Sequence, residues 1–144
     1  MNENRIVISR LALQTINDNL ETLFLPPIAD AAPLRLALAQ YYHVGEESIV
    51  VGSGSTEIMN ALVLVQASER RGDIMASSPA FSLYGILAKI HGLGLRTVPL
   101  KDYAHDVEGL RTTANSATRV IFLDSPHYTT GTTMPTASVI DLAI

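Results

Sequence analysis

A short run of glycine and hydroxyl residues separates a β-like segment from a helix-like segment. The letters GSGSTE at residues 52–57 follow the apolar run IVV and precede an apolar-periodic stretch. Two glycines allow a tight turn, and the first N–H groups of a helix have no intrahelical partner. These groups and the helix dipole bind anions such as phosphate, and Ser55 and Thr56 add hydroxyl donors. The run predicts either a phosphate site or a plain turn with a Ser or Thr cap.

Other glycine-rich motifs fail on particular letters. The dinucleotide fingerprint needs glycine where Glu57 stands, and the Walker motif needs Gly-Lys at Glu57-Ile58. The order Gly52-Ser53-Gly54 is also wrong for the nucleophile elbow of hydrolases. A dinucleotide binder therefore stays a third hypothesis, disfavoured by the missing third glycine.

An aromatic residue follows the next β-like segment. Phe81 lies in SSPAFSLY, residues 77–84, just after the segment DIMAS. At a strand exit, its ring is well placed to stack on a flat ligand ring. The alternative is an aromatic residue that only packs in the core, which is the more common role.

A third candidate loop follows the most strongly β-like segment. The letters DSPHYTTGT at residues 124–132 come directly after RVIFL. Proline and glycine define the loop, while His127, Tyr128 and three threonines offer hydrogen bonds to a ligand. The alternative is a surface turn.

Strands and helices alternate along the chain, which predicts a parallel α/β sheet with ligands at the carboxyl ends of its strands. Helices are expected over Ser9–Phe24, Pro33–His43, Glu57–Gln66 and Phe81–Ile90, over residues 106–114, and from Thr136 onward. Strands are expected at residues 48–51, 73–77, 95–100 and 119–124.

Composition narrows the function classes. The net charge of −4 without a basic run argues against nucleic-acid binding. The absence of cysteine excludes disulfides and thiolate chemistry. No segment has the length of a leader or a membrane span, so we expect a cytoplasmic protein. The histidines, His43, His91, His105 and His127, lack metal-ligand spacing, so we expect surface or loop residues and no metal.

Taken together and in this order, the three loops resemble the class I and II aminotransferases of pyridoxal-phosphate (PLP) fold type I, most closely the histidinol-phosphate aminotransferase branch. The resemblance runs from about Leu34 to Pro135. It rests on LRLALAQYYHVGEESIVVGSGSTEIM, on SPAFSLYGILAKIHG, and on SPHYTTGT in the place of the family's N-P-x-N-P-T-G loop.

The resemblance implies a fold and a cofactor site. The fold is a partial three-layer α/β/α sandwich with a mostly parallel sheet, comprising an N-terminal segment 1–32 and part of the PLP-binding large domain at 33–144. The backbones of Ser55, Thr56 and Glu57 are implied to hold the PLP phosphate. Phe81 is implied to stack on the pyridine ring. Tyr128 replaces the asparagine that contacts the cofactor's phenolic oxygen, which its hydroxyl could reach.

The resemblance also implies missing parts. The family's Schiff-base lysine lies beyond the third loop, so we expect a truncated or split aminotransferase for an amino acid or its phosphorylated analogue. The family sheet implies that two later strands separate RVIFLD from LRTVPL, so a second copy or a complementary chain would complete the fold. The alternative is a degenerate, non-catalytic PLP-binding or interaction module, which Leu25, Asp30 and Tyr128 favour because they depart from the family pattern.

Overall fold

The computed structural model describes residues 6–69 and 72–143. The chain packs as two compact units, Met1–Val51 and Gly52–Ile144. The family-based boundary after residue 32 stays a prediction. Within the described residues, no helix is both long enough and apolar enough to cross a membrane.

The first unit is made of short helices. Helix α1 spans Arg10–Asp18 and helix α2 spans Ala32–Tyr42, with 3₁₀ turns at Leu20–Thr22 and Glu46–Ser48. Pro33 stands in the first turn of α2, where a missing N–H costs nothing. Ala39 is the only buried residue that the structure describes in this unit, and most of the unit's described large apolar side chains are exposed.

The strand predicted at residues 48–51 is wrong. Ile49 has an extended backbone, with φ −111° and ψ 124°, but residues 49–51 belong to no strand. An extended segment becomes a strand only when a neighbouring strand supplies its hydrogen bonds. Among the described residues, no strand pairs with this segment.

The second unit contains the sheet. Its elements are helix α3, Ser55–Glu69; strand β1, Asp73–Ser78; helix α4, Ser82–Ile90; strand β2, Gly94–Pro99; helix α5, Val107–Thr113; strand β3, Thr118–Phe122; and helix α6, Thr136–Ala143. The strands lie in the order β2-β1-β3, and both pairs are parallel. The predicted α/β class with a parallel sheet is confirmed.

The expected separation of the last two predicted strands is wrong in detail. Strand β1 alone lies between β2 and β3, because Ile74 of β1 pairs with Leu95 on one side and with Val120 on the other. Within residues 6–69 and 72–143, the three strands therefore form a continuous sheet without an inserted strand.

Alternating side chains of β1 pack into two hydrophobic cores, one on each face of the sheet. Ile74 packs with Val63 of α3 and with Leu87 of α4, whereas Met75 packs with Leu110 of α5. Successive side chains of a strand point to opposite faces, so the helices cover both sides of the sheet. The arrangement is the expected three-layer α/β/α sandwich.

Chain direction brings the three candidate loops to one edge. Helix α3 leads into β1 and α4 leads out of it, so both helices begin at the carboxyl end of the sheet. The loop after β3 leaves from the same end because β3 is parallel to β1. Ligands of parallel α/β sheets bind at this edge.

Candidate functional site

The start of α3 depends on a glycine in the left-handed region. Gly54 has φ +82°, and its N–H donates to the carbonyl of Gly52 at 2.7 Å. A Cβ at Gly54 would meet nothing within 4 Å, so the backbone angle, rather than space, favours glycine there. The helix begins at Ser55, two residues before the predicted start.

The first turn of α3 contains an acidic residue, Glu57. The Glu57 carboxylate accepts a hydrogen bond from the Ser53 N–H. Ser55, Thr56 and Glu57 are exposed, so the first N–H groups of the helix are open to an anion from solvent. The turn has the donors that a phosphate needs, and a carboxylate close beside them.

Phe81 stands directly before α4. Its backbone is extended, with φ −61° and ψ 126°, and its ring is half-buried. The Tyr84 ring meets it edge-on at a centroid distance of 5.8 Å. The Tyr128 ring lies 4.7 Å away at a tilt of 43°. Two of the predicted site residues, Phe81 and Tyr128, are therefore in contact, which no pattern in the sequence had indicated.

Tyr84 is the buried support of this aromatic group. Its ring stacks on Phe122 at 4.3 Å with the planes within 3° of parallel. Burial, followed by the charge of the Asp124 carboxylate and a hydrogen bond to it, raises the pKa of Tyr84 to about 12. Tyr84 is therefore a neutral hydrogen-bond donor over the physiological pH range.

The loop after β3 is fixed by hydrogen bonds at its own backbone. The Asp124 carboxylate accepts the Tyr128 N–H. His127 donates its N–H to the Thr132 carbonyl at 2.7 Å and accepts the Gly131 N–H at 2.8 Å. Gly131 has φ +72°, which favours glycine. The loop is a built structure rather than a loose surface turn.

Two histidines lie in loops, one of the two positions expected for them, but they are buried at this edge rather than on the surface. The side chains of His105 and His127 are each only 2% exposed. His105 joins two loops, because Nδ1 lies 2.7 Å from the Ser77 hydroxyl and Nε2 lies 2.9 Å from the Asp124 carbonyl. Both histidines follow strands, and this position could have identified them as candidate site residues from the sequence.

His105, Asp124 and His127 also bring ligand atoms within 4.8 Å of one another, close enough to hold a metal ion. However, Ser77 and the Asp124 carbonyl already engage both ring nitrogens of His105. The His127 ring lies edge-on to His105 at 4.9 Å. Since protein groups satisfy His105, we assign no metal to this cluster.

The comparisons with known proteins agree with the geometry. The profile of the family "Aminotransferase class I and II" matches residues 2–143. The chain belongs to the class I and II aminotransferases. The resemblance expected from the loops is thereby confirmed, and the named branch recurs among the relatives.

Histidinol-phosphate aminotransferases are prominent among the similar proteins. That of Desulfotalea psychrophila is 34% identical over 140 residues, which is 97% of this chain and 37% of the relative. That of Pyrococcus furiosus is 36% identical over 115 residues, 79% of this chain and 33% of the relative. The chain thus spans little more than a third of the curated relatives it matches.

Solved structures of this aminotransferase family share the fold. A putative histidinol-phosphate aminotransferase from Erwinia carotovora atroseptica superposes with a TM-score of 0.86 at 26% identity, over 99% of this chain and 42% of that one. The enzyme from Sinorhizobium meliloti, solved with pyridoxal-5′-phosphate, also gives 0.86, at 20% identity over 99% of this chain and 39% of that one. At that identity the second likeness is one of fold alone.

Proposed function

We propose that this chain forms the cofactor-binding part of a PLP-dependent aminotransferase acting on an amino acid or a phosphorylated amino acid. One observation carries the proposal: the open N-terminus of α3 and the Phe81 ring lie at the same carboxyl edge of the parallel sheet. A cofactor that combines a phosphate with a flat aromatic ring needs both features at one edge.

The phosphate is assigned to the start of α3. The backbone N–H groups of Ser55, Thr56 and Glu57 donate to it, with the helix dipole adding to the attraction. Gly54 permits the turn that aims these groups outward from the sheet edge. The Glu57 side chain orders the turn by binding the Ser53 N–H.

The pyridine ring is assigned to Phe81. The half-buried Phe81 ring presents a rigid apolar face, held edge-on by Tyr84. Tyr128 is assigned to the phenolic side of the cofactor. Since its ring contacts Phe81, Tyr128 has to move aside or share that face when a ligand ring binds.

When bound, PLP supplies an aromatic ring that accepts the electrons released at the α-carbon of an amino acid. The two lysines of the chain are not assigned to that chemistry. Lys89 lies in the last turn of α4, about 12 Å along the helix axis from Phe81. Lys101 is exposed in the turn after β2. We assign the Schiff-base amine to a lysine outside residues 1–144.

The remaining partners follow from the same proposal. The curated relatives are about three times as long as the matched segment. We assign the rest of the fold to further sequence of the same protein or to a complementary chain. We also propose that the assembled protein is a homo-oligomer. The names of the relatives favour histidinol phosphate, a phosphorylated amino compound, as the substrate class.

A second candidate is a non-catalytic module that binds PLP or another phosphorylated ligand. The contact between Tyr128 and Phe81 favours it, because a tyrosine stands here where the family has an asparagine. A cytoplasmic address accompanies both candidates as a proposal.

Calorimetry with pyridoxamine 5′-phosphate tests the binding site, since this probe lacks the aldehyde that reacts with surface amines. We expect the phosphorylated probe to bind at least about 100-fold more tightly than pyridoxamine, because two or more charge-assisted hydrogen bonds are lost without the phosphate. Equal affinity for the two probes would exclude the phosphate assignment. Tighter binding of a dinucleotide would favour the third hypothesis.

Chemical labelling tests the assignment of the Schiff-base amine. The chain is incubated with PLP, reduced with borohydride and digested, and labelled lysines are located by mass spectrometry. We expect only slow, partial labelling at Lys89 and Lys101. Rapid stoichiometric labelling of one of them would contradict the assignment of the amine to a lysine outside these residues.

A further inference from the structure

The two rings assigned to the cofactor depend on one buried pair of side chains. Tyr84 meets Phe81 edge-on, and Asp124 accepts the backbone N–H of Tyr128. The Asp124 carboxylate also acts on the Tyr84 hydroxyl, because its charge and a hydrogen bond to it contribute to the raised pKa of Tyr84. Phe81 and Tyr128 are therefore connected through Tyr84 and Asp124 as well as by their own contact.

The spacing of residues explains how this connection forms. Phe122 and Asp124 are two residues apart where β3 ends, so their side chains leave the same face of the sheet. Tyr84 lies one helical turn beyond Phe81 in the first turn of α4. Its ring stacks on Phe122 while its hydroxyl reaches Asp124.

The connection also joins different parts of the chain. Tyr84 belongs to α4, which follows the central strand β1, whereas Asp124 follows the edge strand β3. The Asp124 carbonyl accepts from His105 Nε2 at 2.9 Å, so the loop after β2 supports the same residue. The carboxylate is mostly buried, with 24% of its side chain exposed.

We propose that Tyr84 and Asp124 are positioning residues that set the spacing of Phe81 and Tyr128, and thereby the affinity of the site for a planar aromatic ring. The proposal rests on the proposed function for its ligand, a pyridine-ring phosphate. Neither residue touches the cofactor in this assignment. Tyr84 holds the ring of Phe81 from its edge, and Asp124 holds the backbone of Tyr128.

The alternative is that Tyr84 and Asp124 only stabilise the domain. A merely structural pair would alter the unfolding free energy without changing the affinity for the aromatic probe. A positioning pair changes the environment of the Tyr128 N–H and the affinity for the aromatic probe together. The two roles therefore differ in a measurable way.

The experiment uses the full chain labelled with ¹⁵N-tyrosine, whose spectrum contains five tyrosine amide signals. The Tyr128 signal is identified with Tyr128→Phe. In Asp124→Asn we expect the Tyr128 signal to shift more than the other four, because its N–H loses a charged acceptor. Asp141→Asn, an exposed aspartate of α6, is the matched control and should leave the Tyr128 signal in place.

Affinity for pyridoxamine 5′-phosphate gives the second readout. We expect Asp124→Asn to weaken binding about tenfold, since it replaces a charged acceptor with a neutral one, and Tyr84→Phe to weaken it about threefold, since it removes a hydroxyl that interacts with that acceptor. The double variant should bind about as weakly as Asp124→Asn alone, because the two residues act through one hydrogen bond. Tyr41→Phe, an exposed tyrosine of the first unit, should bind like the parent chain.

Each outcome decides the proposal. An unmoved Tyr128 amide in Asp124→Asn, or additive losses in the double variant, would overturn it. If Asp124→Asn does not fold, Tyr84→Phe keeps the ring stacked on Phe122, and its Tyr128 amide shift supplies the test. If the parent chain binds no probe, the proposed function fails, whereas the amide comparison still decides whether the pair positions Tyr128.

Discussion

The two ends of the candidate site are built in different ways. The phosphate end is formed by residues 52–57, six consecutive residues whose backbone supplies the donors. The ring end combines Phe81 and Tyr84 with Phe122, Asp124 and Tyr128, from two segments about 40 residues apart. The first end is local and exposed, and the second is assembled by tertiary packing and partly buried. Mutations at the two ends should therefore affect ligand affinity and stability differently.

The largest effect is expected at the ring end. Phe81→Ala should weaken binding of pyridoxamine 5′-phosphate by about tenfold or more, because it removes the stacking surface. The measurement is calorimetric affinity, with Phe24→Ala as the control, since Phe24 is 83% exposed and lies in the first unit.

Phe81→Tyr sharpens this prediction because it keeps an aromatic face at the same place. Its affinity should stay close to that of the parent chain. If Phe81→Ala also retains the parent affinity, Phe81 is a packing residue and the cofactor ring binds elsewhere.

A smaller effect of opposite sign is expected at the phosphate end. Glu57→Gln should strengthen binding of pyridoxamine 5′-phosphate about two- to fivefold, since it removes a negative charge next to the phosphate site. The same change should lower the free energy of unfolding slightly, because the Ser53 N–H loses a charged acceptor.

Calorimetry and urea unfolding of Glu57→Gln measure the two changes. Glu46→Gln, an exposed glutamate of the first unit, is the control and should alter neither quantity. Weaker phosphate binding in Glu57→Gln would mean that the carboxylate orders the binding turn more than it repels the ligand.

The last effect, which appears only at alkaline pH, is a change in stability that arises at the ring end. The pKa of Tyr84 is raised from 10.0 to about 12, so the folded state keeps a proton that the unfolded state loses above about pH 10. The free energy of unfolding should therefore fall between about pH 10 and about pH 12. The stabilisation that comes from the raised pKa of Tyr84 is fully present below about pH 10.

Urea unfolding at several pH values in this range checks the effect. The parent chain should lose stability relative to Tyr84→Phe as pH rises, because phenylalanine does not titrate. Tyr41→Phe is the control and should track the parent chain. Parallel curves for the parent chain and Tyr84→Phe would show that the Tyr84 hydroxyl is not held as the geometry indicates.

Much of the fold was predictable because its signals are local. Helix-like and strand-like spacings of apolar residues alternate along the chain, and they predicted α3 to α6 and the three paired strands. Gly52 and Gly54 predicted the turn before α3. The segment at residues 48–51 has the same β-like composition but forms no strand, since strand formation depends on a partner that composition does not reveal.

The sequence by itself determined the α/β class, the family resemblance and the glycine turn before α3, because hydrophobic period and turn residues act over a few neighbours. Only the tertiary structure decided that Tyr128 contacts Phe81 and that Tyr84 joins Asp124. It also decided that His105 is buried between Ser77 and the Asp124 backbone. Such contacts depend on strand order, which brings the ends of β1 and β3 together across more than 40 residues of chain.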